Sequence, residues 1–255
     1  MSRPIPDGPL FAHRNSYRTP LVLAHRGGNT LAPQNSLPAF LTAAQRGVWA
    51  IETDVRLTRD GRCICMHDPI VDTMTNGTGE IKDYTFDELM KLRINRGVGA
   101  DTLPENELKI PTFDQYLDLC MSYGVVPFIE LKTDDGCEPV MKALRRRSLE
   151  SFAVLSSAKL EHLEQARRIS DQIFIHHIFS KRANIDRLYD LGYAGMSFKI
   201  KNVEDVPEGL IGDVHEAGLR VCLRAAETVE ALRAMIDMGL DYQPSNTLYG
   251  YEIRR

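Results

Sequence analysis

Acidic, basic and histidine side chains stand at the ends of short apolar runs in this chain. Glu52 and Asp54 lie two positions apart in one such run, so both project from one face of a strand. A lone histidine or an acid–base pair has an ordinary structural explanation, because hydrogen bonds or a neighbouring charge can satisfy it. Many charges together are costly to bury unless they balance one another or hold a ligand. The residues concerned are His25, Arg26, Glu52, Asp54, His67, Glu130 and Lys132, with Lys199 after a later run.

Three of these side chains offer oxygen ligands for a metal ion. Carboxylates such as Glu52, Asp54 and Glu130 suit a hard divalent cation, Mg²⁺ or Ca²⁺, and they also accept Mn²⁺. The chain has no set of cysteines and histidines with the spacing of a zinc site. The sequence therefore predicts a divalent-cation site and leaves the identity of the cation open.

Four basic or titratable side chains complete the chemistry. Arg26 and Lys132 provide positive donors that suit phosphate oxygens. His25 and His67 can take a proton from an attacking oxygen and give one to a departing oxygen. Because a metal ion would polarise the phosphoryl group, the full set predicts cleavage of a phosphoester.

Composition limits the partners of the chain. The 255 residues include 31 Lys and Arg against 35 Asp and Glu, which does not favour nucleic acid, because affinity for its backbone needs clustered positive charge. No apolar stretch approaches the roughly 20 residues that span a bilayer, and residues 1–18 lack an apolar signal region. We therefore expect a cytoplasmic protein without stable membrane association, acting on a small molecule. Five cysteines without a CxxC pair argue against a disulfide framework.

Short β-branched runs alternate with amphipathic segments along the chain, as in repeated βα units around a parallel sheet. One run, residues 62–67, closely follows a turn sequence at 58–61 and is predicted to fold back as a hairpin. The other eight runs favour a single-domain α/β protein, a (β/α)8 TIM barrel, with an open doubly wound sheet as the alternative. The nine predicted strands are 21–25, 50–56, 62–67, 125–132, 152–156, 172–176, 195–198, 219–223 and 240–243.

Helix ends are also visible in the sequence. Ser36 can cap a helix whose apolar residues share one face, and Gly47 stands where a C-terminal glycine belongs. Two further helix starts have the spacing of a capping box. These are Thr85 with Glu88 and Thr112 with Gln115, and other helices are predicted to begin near Glu138, Lys159, Asn184, Val203 and Glu227.

The barrel domain is predicted to cover residues 20–255. Residues 68–124 are long for one βα connection and contain an inserted segment, which follows the second strand and its hairpin. Only residues 244–255 follow the last predicted strand, so the eighth outer helix is predicted to be short or missing. We expect the N-terminal segment, residues 1–19, to pack over the resulting apolar gap. Alternatively, a second subunit covers this gap, so the sequence leaves the oligomeric state open.

The order and spacing of the polar motifs is specific, although each piece alone is a weak signal. From about residue 20 to residue 135, the chain resembles the glycerophosphodiester phosphodiesterase family. The motifs that carry the resemblance are His25-Arg26-Gly27-Gly28, Ala32-Pro33-Gln34-Asn35-Ser36, Glu52-Thr53-Asp54-Val55, Thr58-Arg59-Asp60-Gly61, His67-Asp68, Thr75-Asn76-Gly77-Thr78-Gly79, Tyr84-Thr85-Phe86-Asp87-Glu88-Leu89, Ile110-Pro111-Thr112-Phe113 and Ile129-Glu130-Leu131-Lys132.

The resemblance implies a TIM barrel that hydrolyses glycerophosphodiesters, compounds of lipid metabolism, to glycerol 3-phosphate and an alcohol. It implies that the substrate's own glycerol 2-hydroxyl attacks phosphorus and that water then opens the cyclic phosphate. It places the inserted segment beside the site and does not decide which histidine begins as the base. By position, Glu52, Asp54 and Glu130 match the metal ligands, His25 and His67 the acid–base pair, and Arg26 and Lys132 the phosphate contacts.

Several positions depart from the family pattern. Gln34 stands where the family usually has Glu, so a negative charge is lost, and Ser36 replaces a Thr. Arg224 stands in the stretch that usually supplies a Trp, and Asn246 lies in an altered final element. Arg224 and Lys199 are therefore candidate specificity residues, and we expect Arg224 to favour a substrate with an extra anionic or polyol group.

Other functions use the same residues. One is a catalytically silent protein that binds a phosphoryl ligand, although both histidines and all three acids are present. The others keep the mechanism and change the phosphodiester to a sugar, teichoic-acid-like or lysophospholipid substrate. A further alternative is the activity of the related phospholipase-D-like toxins. These act on membranes outside the cell, so the predicted cytoplasmic location argues against this alternative.

Overall fold

In the computed structural model, residues 10–11 and 21–246 are described. Within these residues, strands and helices alternate along the chain. The strands are β1 Leu21–Ala24, β2 Ala50–Leu57, β3 Cys63–Cys65, β4 Val126–Leu131, β5 Val154–Ser157, β6 Phe174–His177, β7 Ala194–Ser197, β8 Arg220–Cys222 and β9 Tyr242–Ser245. The helices are α1 Leu37–Gln45, α2 Phe86–Leu89, α3 Phe113–Tyr123, α4 Cys137–Arg146, α5 Leu160–Ile169, α6 Ile185–Leu191, α7 Leu210–Glu216 and α8 Val229–Asp237.

Eight of the strands form a parallel ring. Their order is β8-β7-β6-β5-β4-β2-β1-β9, and β3 lies outside it as the antiparallel partner of β2. Between β8 and β9 the ring is joined by a parallel bridge, Ala226 with Ser245, and by a hydrogen bond of 3.0 Å from Asp241 N to Val221 O. The predicted TIM barrel and its hairpin are therefore confirmed, because an open sheet would leave β8 and β9 apart.

The inside of the barrel is closed at the N-terminal ends of the strands. The first residues of six strands, from Leu21 of β1 to Tyr242 of β9, meet there in one apolar cluster. Leu10 and Phe11 join this cluster, and the ring of Phe11 lies 5.2 Å from that of Phe174. The rest of the N-terminal segment and the tail from residue 247 lie outside the described residues, so the packing of that segment and the missing eighth outer helix stay predictions.

Helix ends follow the predicted capping chemistry in most places. Ser36 Oγ accepts a hydrogen bond from Ala39 N at the start of α1, and both predicted capping boxes are formed. The helix predicted to begin near Val203 was placed too early, since α7 begins at Leu210 and only a short 3₁₀ turn occupies 203–205. Pro207 explains the difference, because a proline disfavours helical backbone at the residue before it.

The inserted segment has a small apolar core of its own beside the barrel, and helix α3 then returns the chain to the barrel and packs against α1. All five cysteines are free thiols. No helix in the described part of the chain is long and apolar enough to cross a membrane. The cytoplasmic location itself stays a prediction. The buried residues of the inserted core are Ile64, Met66, Val71, Met74, Ile81, Leu89, Ile94, Leu108 and Ile110.

Candidate active site

Strand register brings the three predicted acids together. Asp54 on β2 is the direct neighbour of Glu130 on β4, and Glu52 lies two residues earlier on the same face of β2. One carboxylate oxygen from each side chain lies within 4.8 Å of the others. The parallel pairing of two strands therefore concentrates three carboxylates, most of them buried, at the C-terminal end of the barrel.

Each buried acid on β2 has one oxygen held and one oxygen free of hydrogen bonds. Arg26 N donates to Glu52 Oε2 at 2.7 Å, and Asn35 Nδ2 donates to Asp54 Oδ2 at 2.8 Å. Glu52 Oε1 and Asp54 Oδ1 are buried and have no hydrogen-bond partner in the described structure, although Lys132 Nζ lies 3.2 Å from Asp54 Oδ1. Orphaned carboxylate oxygens directed at one another are a donor set that fits a hard divalent cation.

The pKa values of the acids show how poorly their charges are compensated. Burial, and then the charge of Asp54, raises the pKa of both Glu52 and Glu130. Burial would also raise the pKa of Asp54, but Lys132 and Arg26 outweigh it and hold that pKa below its ordinary value. The site therefore carries negative charge that a further cation would stabilise.

The two predicted phosphate contacts are held by the same acids. Lys132 Nζ pairs with Glu130 as well as with Asp54, and Arg26 Nε lies 3.5 Å from Asp54 Oδ2. Arg26 also donates from a terminal guanidinium nitrogen to Gln34 Oε1 at 2.6 Å. Gln34 is thus a neutral acceptor at the position where the sequence lacks the expected acid, so this contact adds no second negative charge beside Arg26.

The two histidines have different partners. His25 Nδ1 lies 2.7 Å from Asn246 Oδ1, which also accepts from Asn29 Nδ2 at 3.0 Å. Asn246 Oδ1 can only accept, so His25 carries its proton on Nδ1 and Nε2 has a free lone pair. Burial, and then the charge of Arg26, lowers the pKa of His25 to about 4. His67 Nδ1 instead lies 2.8 Å from a carboxylate oxygen of Asp68, which favours a protonated ring, although burial outweighs it and lowers the pKa of His67.

These residues surround one cavity of about 340 Å³ at the C-terminal end of the barrel. Both histidines, Arg26, Lys132, Glu52 and Glu130 line it, and Asp54 lies beneath it. The two candidate specificity residues, Lys199 and Arg224, line the same cavity from later strands. The structure therefore gathers every side chain singled out in the sequence.

Comparison with known proteins agrees with this geometry. A model of the glycerophosphoryl diester phosphodiesterase family matches residues 25–242. The chain belongs to this family. The family is one of phosphoric diester hydrolases, and its match extends through the second half of the barrel, where the motifs in the sequence are weakest.

Individual members of the family are similar over different lengths. A glycerophosphodiester phosphodiesterase of Caldanaerobacter subterraneus is 32% identical over 160 residues, 61% of this chain and 65% of the relative. Human glycerophosphodiester phosphodiesterase 1 is 38% identical over 113 residues, 44% of this chain and 33% of the relative. The chain therefore spans less than two thirds of these relatives.

A solved structure is similar over nearly the whole barrel. An Oleispira antarctica phosphodiesterase, solved in complex with the product sn-glycerol-3-phosphate, superposes with a TM-score of 0.80 at 25% identity. The superposition covers 90% of this chain and 94% of that protein. The likeness extends the family relationship to the full TIM barrel.

Two supporting side chains had no role in the sequence-based prediction. Asn35 Oδ1 accepts from Thr53 Oγ1 at 2.8 Å, while its amide nitrogen holds Asp54, as described above. Arg56 donates two hydrogen bonds, of 2.8 and 2.6 Å, to the backbone carbonyl of His67. Arg56 therefore fixes the hairpin end that carries His67.

A tyrosine from α3 also reaches the strands that carry the acids. The hydroxyl of Tyr116 donates to Ile51 O at 2.7 Å on β2 and accepts from Phe128 N at 3.0 Å on β4. Burial, and then Cys120, raises the pKa of Tyr116 well above its ordinary value, so the hydroxyl keeps its proton. This hydroxyl joins β2 and β4 next to Glu52.

The turn after β1 requires a glycine. Gly27 has φ +78°, and a Cβ there would lie 2.8 Å from the backbone carbonyl carbon of Ala39 in α1. Gly28 N donates to Ala39 O at 2.8 Å, so the turn rests directly on the start of that helix. The close approach fixes the backbone that presents His25 and Arg26 to the cavity.

Proposed function

We propose that this chain hydrolyses glycerophosphodiesters to glycerol 3-phosphate and an alcohol, in a divalent-cation-dependent reaction with histidine acid–base catalysis. The observation that carries the proposal is the meeting of three acids, two cations and two histidines in one cavity. The family membership and the product complex of the Oleispira relative support it.

The residues that would hold the cation are Glu52, Asp54 and Glu130, which each offer one carboxylate oxygen within 4.8 Å of the others, and Glu52 and Asp54 each have an oxygen without a hydrogen-bond partner. A divalent cation bound there supplies positive charge that offsets the charge developing on the phosphoryl group. Which cation binds is a matter for measurement, because carboxylate oxygens accept Mg²⁺, Ca²⁺ and Mn²⁺.

Arg26 and Lys132 bind the phosphate oxygens in this proposal. Both line the cavity beside the acids, and both side chains carry positively charged donors that suit phosphate oxygens. Their charges are partly neutralised by Asp54 and Glu130, so a phosphate would share them with these carboxylates. Such donors position the diester and stabilise its negative charge without a change in their own protonation.

His25 acts as the first base and His67 as the first acid. The Nε2 lone pair of His25 is left free by the bond from Nδ1 to Asn246, and it removes the proton from the 2-hydroxyl of the substrate's glycerol. The Asp68 carboxylate supports a protonated His67, which gives its proton to the departing alcohol. The two roles reverse when water opens the cyclic phosphate.

The first test is turnover of several glycerophosphodiesters by the purified protein with Mg²⁺, Ca²⁺ or Mn²⁺ and with EDTA. We expect turnover with a cation, none with EDTA, and a fall of roughly 100-fold or more in His25→Ala and Glu52→Ala. Glu107→Gln, at an exposed position that does not line the cavity, serves as the control. Full activity in His25→Ala or with EDTA would overturn the proposal, and binding without turnover would support a silent binding protein.

The assignment of base and acid has its own test. A substrate whose leaving group is p-nitrophenol departs without help from an acid, so His67→Ala should regain much of its lost rate on that substrate. His25→Ala should stay impaired on both kinds of substrate. The opposite pattern of recovery would reverse the two roles.

A further inference from the structure

Two cationic side chains stand on the wall of the cavity that faces the acids. Counted around the ring, β2 and β4 are the second and third strands, and β7 and β8 are the sixth and seventh. Lys199 follows the end of β7 by two residues, and Arg224 follows the end of β8 by two. Because Ser197 pairs with Cys222, Lys199 and Arg224 leave neighbouring strands at the same level. The cation pair and the acid pair thus lie on opposite sides of the mouth.

Neither of these cations has an anionic partner in the described structure. The guanidinium of Arg224 makes no hydrogen bond or ion pair with a described residue, and Lys199 Nζ lies only over the ring of Phe179, 5.7 Å from its centre. Glu227 is the carboxylate that lines this side, and its Oε2 accepts from Asn246 Nδ2 at 2.9 Å. Arg26 and Lys132, in contrast, are each paired with the acids.

Lys199 and Arg224 are like charges that follow neighbouring strands, so they repel each other. Phe179 holds Lys199 near the cavity despite this repulsion, because Lys199 Nζ lies over its ring. The ring of Phe179 is half exposed at the cavity wall, and its backbone has φ +53°. A bulky residue in the left-handed region is strained, and such conformations cluster at ligand sites. The arrangement leaves concentrated, unneutralised positive charge facing the cavity.

We propose that Lys199 and Arg224 bind a second anionic group, a phosphate, carried by the alcohol part of the diester. This inference rests on the proposed function, because it assumes that the scissile phosphate lies at the acid wall. A diester bound there extends its alcohol across the mouth toward β7 and β8. The preferred substrates are then glycerophosphodiesters of a phosphorylated alcohol, with neutral polyols second and cationic alcohols last.

The test compares substrates that share the glycerophosphoryl group and differ in the charge of the alcohol. These are glycerophosphoglycerol, the same compound with a terminal phosphate, and glycerophosphocholine. We expect kcat/KM to be at least about tenfold higher for the terminally phosphorylated compound than for the neutral one, as for a charge-assisted hydrogen bond. The preference should shrink as salt is raised, because ions screen exposed charges.

Variants identify the residues responsible. Arg224→Gln and Lys199→Gln should each lower the ratio of kcat/KM between the phosphorylated and the neutral substrate by about tenfold. Lys201→Gln is the control, since Lys201 is an exposed lysine of the same loop that does not line the cavity. A ratio of one or less in the wild-type protein, or a ratio unchanged in both variants, would overturn the inference. A wild-type protein that cleaves none of the three compounds with a divalent cation would instead overturn the proposed function.

Discussion

Substituting Glu52 by Gln tests whether the three acids serve to bind a cation or to stabilise the fold. Glu52 is buried, one oxygen of each acid lies within 4.8 Å of the others, and Glu52 Oε1 has no partner in the described structure. A glutamine keeps the shape and can still accept the hydrogen bond from Arg26 N. It also replaces the orphaned oxygen with a donor directed at the remaining carboxylates. We expect the metal-free variant to be more stable than the metal-free wild-type protein.

The size of the gain follows from the spacing. Two unit charges 4.8 Å apart repel by about 3 kcal/mol at an effective dielectric constant near 20. Attraction to Lys132 and Arg26 offsets part of this, so we expect a gain of about 2 kcal/mol, or roughly 4–8 °C in Tm. The raised pKa of Glu52 sets the pH window, since the penalty grows only as pH rises above the ordinary value of 4.5. The gain should be largest near pH 8 and disappear near pH 4.

Thermal unfolding with EDTA and with excess divalent cation provides the assay. At 100 times the dissociation constant, a cation should stabilise the wild-type protein by about 2.7 kcal/mol, and the variant should lose most of this response along with its activity. Glu107→Gln controls for loss of a surface charge. A variant that is less stable in EDTA and still stabilised by the cation would refute the reasoning, because Glu52 would then be structural.

Three other changes test the supports of the site. Gly27→Ala should lower the free energy of unfolding by about 1–3 kcal/mol, because φ is +78° there and the new Cβ would lie 2.8 Å from the backbone of α1. Denaturant titrations measure this loss, and unchanged stability would contradict the close approach. Asn35→Ala should raise the cation concentration for half-maximal activity about 10–100-fold by releasing Asp54, and an unaltered cation requirement would argue against this role. His176, bonded to Tyr242 and with a pKa lowered to about 3 by burial, binds its proton more readily in the unfolded chain, so stability should fall as pH drops below 6.5. His176→Gln should make that fall shallower by up to about 1.4 kcal/mol per pH unit, and an equal slope in acid denaturation would show that His176 does not contribute.

Most of the barrel could be predicted from the sequence because its strands are short apolar runs with polar residues at one end. The alternation indicated nine strands, and the turn at 58–61 indicated which of them folds back. The shared face of Glu52 and Asp54 could also be predicted, since residues at i and i+2 project from the same side of a strand. The start of α7 was predicted wrongly because the amphipathic pattern begins near Val203, while Pro207 prevents helical backbone just before it.

The supporting contacts join residues that are far apart in the sequence, so a local sequence pattern does not reveal them. Asn246 meets His25 across 221 residues, and Arg56 meets the carbonyl of His67 through a hairpin whose exact path sets the contact. Asn35 directly precedes the helix cap Ser36, and nothing at that position in the sequence indicates its hydrogen bonds to Asp54 and Thr53. Residue types revealed the chemistry, whereas the second layer of hydrogen bonds required three-dimensional geometry.

The hydroxyl of Tyr116 gives the inserted segment a direct mechanical connection to the acids. Helix α3 is the first element after the insertion, and this one side chain from it bonds to both strands that carry the acids. A shift of α3 would therefore withdraw this hydroxyl and leave the buried Phe128 N and Ile51 O without this partner, directly beside Glu52. Loop exchange between family members would have to carry α3 along with the insertion to preserve these two bonds.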